Sequence, residues 1–174
     1  MVIAEIKAAM YSSVDGRKMR IEMTYVGSLK DILPVPQNVY NTGSEKAWHD
    51  LEMNTGIVFP KDHKELIGTY GTGGIGNFIW FLTPFEEDDD IDHFKKMNVM
   101  LEAYRISKNH FPDHFIHDIY PEKNGLLPWG YTDNGDGSYW KTNSSFEKWD
   151  IVIYERPLQS TMNIKCNWQS FSIK

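Results

Sequence analysis

The chain has 174 residues, the length of one domain able to bury roughly 70% of its unfolded surface, and its 41% hydrophobic and 14% aromatic content excludes a chain held open by its own charge. Eighteen basic against twenty-four acidic side chains give a formal net charge of −6 and a pI near 5.5, which argues against nucleic acid as the main partner and favours a basic protein. The one cysteine, Cys166, cannot form an intrachain disulfide, Glu5 and Lys7 interrupt the stretch where a signal peptide needs apolar residues, and the run Phe78 to Leu82 is too short to span a bilayer, so a cytoplasmic protein with no membrane partner is expected.

In chain order, Ile21, Met23 and Tyr25 alternate with Arg20, Glu22 and Thr24 after an Asp15-Gly16 turn signal, which predicts a hairpin. Pro34 and Pro36 break the chain before a helix in which Thr42 and Glu45 have capping-box spacing, Trp48 and Leu51 share a face, and Gly56 is the stop. Pro60 suits the first position of a second helix that carries Phe59, His63, Leu66, Ile67 and Tyr70 along one side and ends at Gly71. Phe78 to Leu82 reads as a strand covered on both faces and closed by Pro84. After an acidic run comes the longest helical pattern, with Phe94, Met97, Leu101 and Tyr104 on one face, terminated by Pro112. Three strands follow: Leu127 to Thr132, a turn over Asp133 to Gly137, Ser138 to Thr142, and Trp149 to Tyr154.

Several motifs point to chemistry and are weakened by their surroundings. Gly71-Thr72-Gly73-Gly74-Ile75-Gly76 matches the dinucleotide fingerprint, but here a helix precedes the glycines and a strand follows, the reverse of what sets a phosphate at a helix N-terminus. A tight helix-to-strand turn is the better reading, and no cofactor is expected. His110, His114 and His117 have spacings that suit zinc on a helix, yet Pro112 disrupts the turn that would align them, so surface histidines are favoured and no metal is expected. Asp133, Asn134 and Asp136 resemble part of a calcium loop, but Gly135 and Gly137 stand where oxygen ligands are needed, and a hairpin turn explains them. No nucleophile elbow is present and Cys166 stands alone, so no catalytic residue is expected.

The run Glu86, Glu87, Asp88, Asp89, Asp90, extended by Asp92, has two compatible readings. One or two carboxylates suffice to cap a helix and offset its dipole. The surplus is either a plain solvated loop or a patch that steers a basic partner into contact.

From Thr42 to Tyr154 the order of segments resembles the SUKH superfamily, the Smi/Knr-type domains. Trp48 with Leu51-Glu52, the step Gly56-Ile57-Val58-Phe59-Pro60, the helix Pro60-Lys61-Asp62-His63-Lys64-Glu65-Leu66-Ile67 and the turn Tyr70-Gly71-Thr72-Gly73 carry the first half, with His63 in place of the usual Tyr. Pro128-Trp129-Gly130, Gly135-Asp136, Tyr139-Trp140 and Trp149 carry the second. The first forty-one residues have no counterpart, and the family's closing helix is at most hinted at by Ser170-Phe171. The resemblance implies one α+β domain over 1–174, with a mainly antiparallel sheet packed against helices. Members are mostly bacterial immunity proteins that neutralise a cognate toxin, often a nuclease, and fungal relatives regulate cell-wall synthesis. The expectation is therefore a non-catalytic protein that binds a basic toxin through Glu86, Glu87, Asp88, Asp89, Asp90, Trp129, Asp133 and Asp136. The alternatives are a regulatory scaffold of the cell-wall type and a small metal-dependent hydrolase built on His110, His114 and His117.

Overall fold

A computed structural model describes residues 25–142 and 149–155. The elements in order are α1 (Tyr25–Ile32), α2 (Glu45–Thr55), α3 (Lys61–Tyr70), β1 (Gly73–Ile75), β2 (Ile79–Phe81), α4 (His93–His110), β3 (Leu126–Thr132), β4 (Gly137–Lys141) and β5 (Asp150–Tyr154). The strands form one antiparallel sheet in sequential order, β1-β2-β3-β4-β5, so the fold is α+β. The hairpin expected from Asp15 onward lies outside the described residues except for Tyr25, which opens α1 instead.

The helix before Gly56 starts two residues later than its capping-box spacing suggests. Gly43 takes a left-handed φ of 70°, which turns the chain between Thr42 and the helix. Ser44 becomes the cap, its hydroxyl accepting from the Ala47 N–H at 3.1 Å, while the Thr42 carbonyl accepts from the Trp48 indole N–H at 3.2 Å. Gly56, at φ 72°, closes the helix by donating its N–H to the Glu52 carbonyl at 2.9 Å. The Glu52 carboxylate then accepts the Phe59 N–H at 2.8 Å and pairs with Lys64, which fastens α2 to α3.

The glycine-rich stretch contains a strand as well as a turn. Gly76 and Asn77 both have positive φ, 62° and 50°, the conformation of a two-residue hairpin turn, and the Phe78 N–H closes it onto the Ile75 carbonyl at 3.1 Å. These glycines therefore shape a sheet edge, and no helix N-terminus follows them.

Leu126 and Leu127 are consecutive in β3, point to opposite faces and are both fully buried. Leu127 packs in a cluster with Trp48, Ile57, Phe59, Ile67, Ile75, Ile79, Phe81 and Trp140, drawn from α2, α3 and the sheet. Leu126 packs with Leu82, Met100, Leu101, Tyr104, Tyr139, Val152 and Tyr154, where α4 meets the other strands. The sheet is thus covered on both sides at its centre. The Tyr104 and Tyr154 hydroxyls, 3.1 Å apart, join α4 to β5.

Because Leu127 touches both the helical layer and the sheet, Leu127→Ala should lower unfolding stability by roughly 2–5 kcal/mol in a urea titration. Val99→Ala, at a site 63% exposed on α4, should change it by less than about 0.5 kcal/mol.

Candidate functional site

The chain leaving β2 returns to start α4 through a loop closed at its neck. The Thr83 N–H donates to the Ile91 carbonyl at 3.0 Å and the His93 N–H donates to the Thr83 carbonyl at 3.1 Å. The run Glu86 to Asp90 projects from that neck. Inside the loop the Asp88 carbonyl accepts from the Ile91 and Asp92 N–H groups at 3.0 and 2.7 Å, and the Asp88 carboxylate accepts the Asp90 N–H at 2.9 Å. Asn41 donates to Glu86 at 2.8 Å and joins the loop to the segment before α2. Backbone N–H groups of Glu87 and Asp88 and the Asn41 amide hold the Glu86 carboxyl below the usual range.

Asp92 is the helix cap, accepting the Lys95 N–H at 2.9 Å. One turn into α4 two lysines reach back to the loop: Lys95 to Asp89 at 2.7 Å and Lys96 to Asp90 at 2.8 Å. These partners depress the Asp90 carboxyl and raise the Lys95 ammonium. Asp89 and Asp90 remain 83% and 76% exposed, so each pair is water-screened and adds little to stability. Six carboxylates (Glu86, Glu87, Asp88, Asp89, Asp90 and Asp133) against two ammonium groups leave this region with an excess of four negative charges.

Tyr131 joins the loop to the β3–β4 hairpin. Lys96 Nζ lies 4.4 Å from its ring centre, a cation over an aromatic face. Burial raises the Tyr131 phenol pKa first, and the charges of Asp90, Asp133 and Asp88 raise it further. Lys96, over the Tyr131 ring and paired with Asp90, and Trp80, across the strands from Tyr131 and bonded to Asp133, place the loop and the hairpin at the same end of the sheet.

Directly across the strands from Tyr131 stands Trp80, whose indole N–H donates to the Asp133 carboxylate at 2.7 Å. On its other side Trp80 faces Gly74, where an added Cβ would come within 2.9 Å of the indole. Ile79 and Phe81 are buried but Trp80 is only half-buried, so the strand read as covered on both faces is partly open on this one. The open side results from the short, glycine-containing β1, which brings no side chain to cover the indole. Sequence reasoning missed Trp80 and Tyr131. The one signal for them was Gly74, a missing side chain beside a large aromatic one.

Of the expected contact residues, Asp136 is buried and Trp129 is half-buried. Asp136 is 8% exposed, accepts the Thr132 hydroxyl at 2.8 Å, and donates its own N–H to that hydroxyl at 3.2 Å, which closes the hairpin turn. Trp129 occupies a bulge where the β3–β4 register shifts between Pro128 and Gly130, and stacks on Phe81 and Trp140 with ring centres 6.0 and 6.3 Å away.

The histidines after α4 do not converge. His110 is exposed with Nδ1 at 2.8 Å from the Ile106 carbonyl, His114 is exposed, and His117 packs against Tyr154 with its pKa lowered by burial and then by Lys141 and Lys108. Among the described residues no group of three His, Cys, Asp or Glu side chains is placed to hold a metal ion. Cys166 lies outside the described residues. A groove of about 480 Å³ between α2 and α3, lined by Thr42, Gly43, Trp48, Lys64, Glu65 and Gly68 among others, has mixed charge, and its Lys64 is already paired with Glu52. No helix among the described residues is long and apolar enough to cross a membrane.

The family model described as SMI1-KNR4 cell-wall, of the SUKH group, matches residues 45–171, well over half of the chain. The chain belongs to the SUKH superfamily. No curated protein and no solved structure matches it. The family match places the acidic loop, Trp80, Tyr131 and Asp133 within the SUKH domain, and SUKH domains are generally non-catalytic.

If both segments act on one face, Asp90→Asn and Asp133→Asn should each lower the Tyr131 phenol pKa in an alkaline titration followed by the Tyr131 ring NMR signals. Removing a negative neighbour eases formation of phenolate. An unchanged titration in Asp133→Asn would separate the hairpin from the loop.

Proposed function

We propose that this SUKH protein is an immunity protein that binds and neutralises a cognate toxin of nuclease type, without performing catalysis. The observation that carries the reading is that Asp90, through Lys96 over the Tyr131 ring, and Asp133, through the indole of the half-open Trp80 across from Tyr131, meet beside the same two aromatic side chains. A protein that cuts nucleic acid needs a basic cleft to hold phosphates. An acidic surface with aromatic side chains at its centre complements such a cleft: the charge steers the encounter, and the aromatic rings supply contact area with little rotamer entropy to lose.

Fixed geometry supports the same reading. Asp89 and Asp90 are held by lysines of α4, Asp133 is held by the Trp80 indole, and Glu86 is held by Asn41. A surface already ordered in the free protein loses less entropy on association. The cell-wall description of the family model favours a second reading, a regulatory scaffold that uses the same face on a cell-wall enzyme or its regulator.

Co-purification with the product of the neighbouring gene, followed by a nuclease assay on that product, separates the two readings. In the immunity reading, the triple variant Asp88→Lys, Asp89→Lys, Asp90→Lys should keep its circular dichroism spectrum, because the substituted side chains are exposed. It should associate with the toxin roughly tenfold or more slowly at low salt, with the gap shrinking as salt is added. An equal association rate in the triple variant would remove the acidic loop from the interface.

A further inference from the structure

Two histidines occupy the aromatic core, where no part of the proposed binding reaction uses them. His63 of α3 is 5% exposed and His93, the first residue of α4, is 0% exposed. The His63 ring lies 4.9 Å from Trp140 and 6.0 Å from Phe59, and the His93 ring lies 5.0 Å from Phe59, 5.4 Å from Phe94 and 6.5 Å from Trp140. Phe59 and Trp140 are thus shared walls of a single pocket for both imidazoles. The Nε2 atom of His63 and both ring nitrogens of His93 are buried without a hydrogen-bond partner, while His63 also bonds the Leu82 backbone.

We propose that His63 and His93 form a buried acid-sensitive latch, in which proton uptake by the pair unseats the start of α4 from α3 and the sheet and takes the acidic face apart with it.

Beyond the bond between His63 and the Leu82 backbone, the geometry offers an added proton no partner. The rings are walled by Phe59, Phe94 and Trp140, and three of their four nitrogens have no hydrogen-bond partner. The charges carried by the packed elements are committed elsewhere: Lys64 to Glu52 on α2, Asp92 to the Lys95 N–H, Lys95 to Asp89, and Lys96 to Asp90. His93 also sits at the positive end of the α4 dipole, which opposes a second positive charge. Burial therefore lowers His63 to about 4, and burial with the charge of His63 lowers His93 to about 3.

The direction follows from linkage. Both folded pKa values lie below the unfolded value of 6.5, so the stabilisation is complete above that value and is lost as pH falls through it toward about 4 and about 3. His93 immediately follows the Asp92 cap and shares a helical turn with Lys95 and Lys96, the groups that hold the acidic loop. Displacing it releases that loop whatever the face binds, so the latch does not depend on the toxin reading.

The test is urea unfolding of the full chain at pH 7, 6, 5.5, 5 and 4.5, for wild type and for His63→Gln with His93→Leu. Between pH 6 and 4.5 the wild-type folding constant should fall faster than that of the variant by up to roughly a hundredfold per pH unit, the slope for two protons. Equal slopes in a folded variant would overturn the latch. Should the variant not fold, NMR of the wild type decides: the ring signals of His63 and His93, two of the six histidines, should stay unchanged through pH 6.5 and then shift at lower pH together with the amide signals of the start of α4 and of the acidic loop. Titration of the His63 and His93 rings near 6.5, with the start of α4 unmoved, would refute it.

Discussion

The backbone clasp between Thr83 and the segment Ile91 to His93 determines most of what this molecule presents to others. Thr83 is fully buried, and its N–H and carbonyl are both used on the returning chain. The intervening residues therefore have to leave and re-enter the sheet at nearly the same point. An acidic run in an open linker would spread to lower its own repulsion. Held at a closed neck, the same carboxylates stay together, and two of them find lysines one turn into α4. The clasp also fixes where α4 begins, which puts Asp92 in capping position and sends the His93 ring into the core.

Much of the layout was legible from local chemistry. The long helix ending before Pro112, the helix stops at Gly56 and Gly71, and the three late strands follow periodicity and backbone stereochemistry that act within a few residues. What local chemistry did not show depends on partners distant in the chain. Thr42 and Ser44 are equally good caps on paper, and the left-handed turn at Gly43, packed against Phe85, selects Ser44. The run around Trp80 is apolar at every position, so its pattern carries no information on which face is open. Only the pairing with Gly74 and Tyr131 exposes it.

The candidate site was half legible for the same reason. Acids in one consecutive run reveal themselves, and Glu86 to Asp90 needed no tertiary information. Asp133 and Asp136 are three residues apart in one hairpin and look equivalent, yet one meets the Trp80 indole at the surface and the other turns inward to Thr132. Trp129 was expected at the contact surface, and it stands half-buried with its ring stacked on Phe81 and Trp140. Membership of the SUKH superfamily, by contrast, rests on an ordered series of such weak local elements, and so it could be recognised where no single element was decisive.

The exposed acids of the closed loop make few contacts with the interior, while the clasp beneath them is made of main-chain atoms. Substitutions at the tip of that loop are therefore nearly free of consequence for folding. A scaffold built this way can exchange one set of loop side chains for another without repacking its centre.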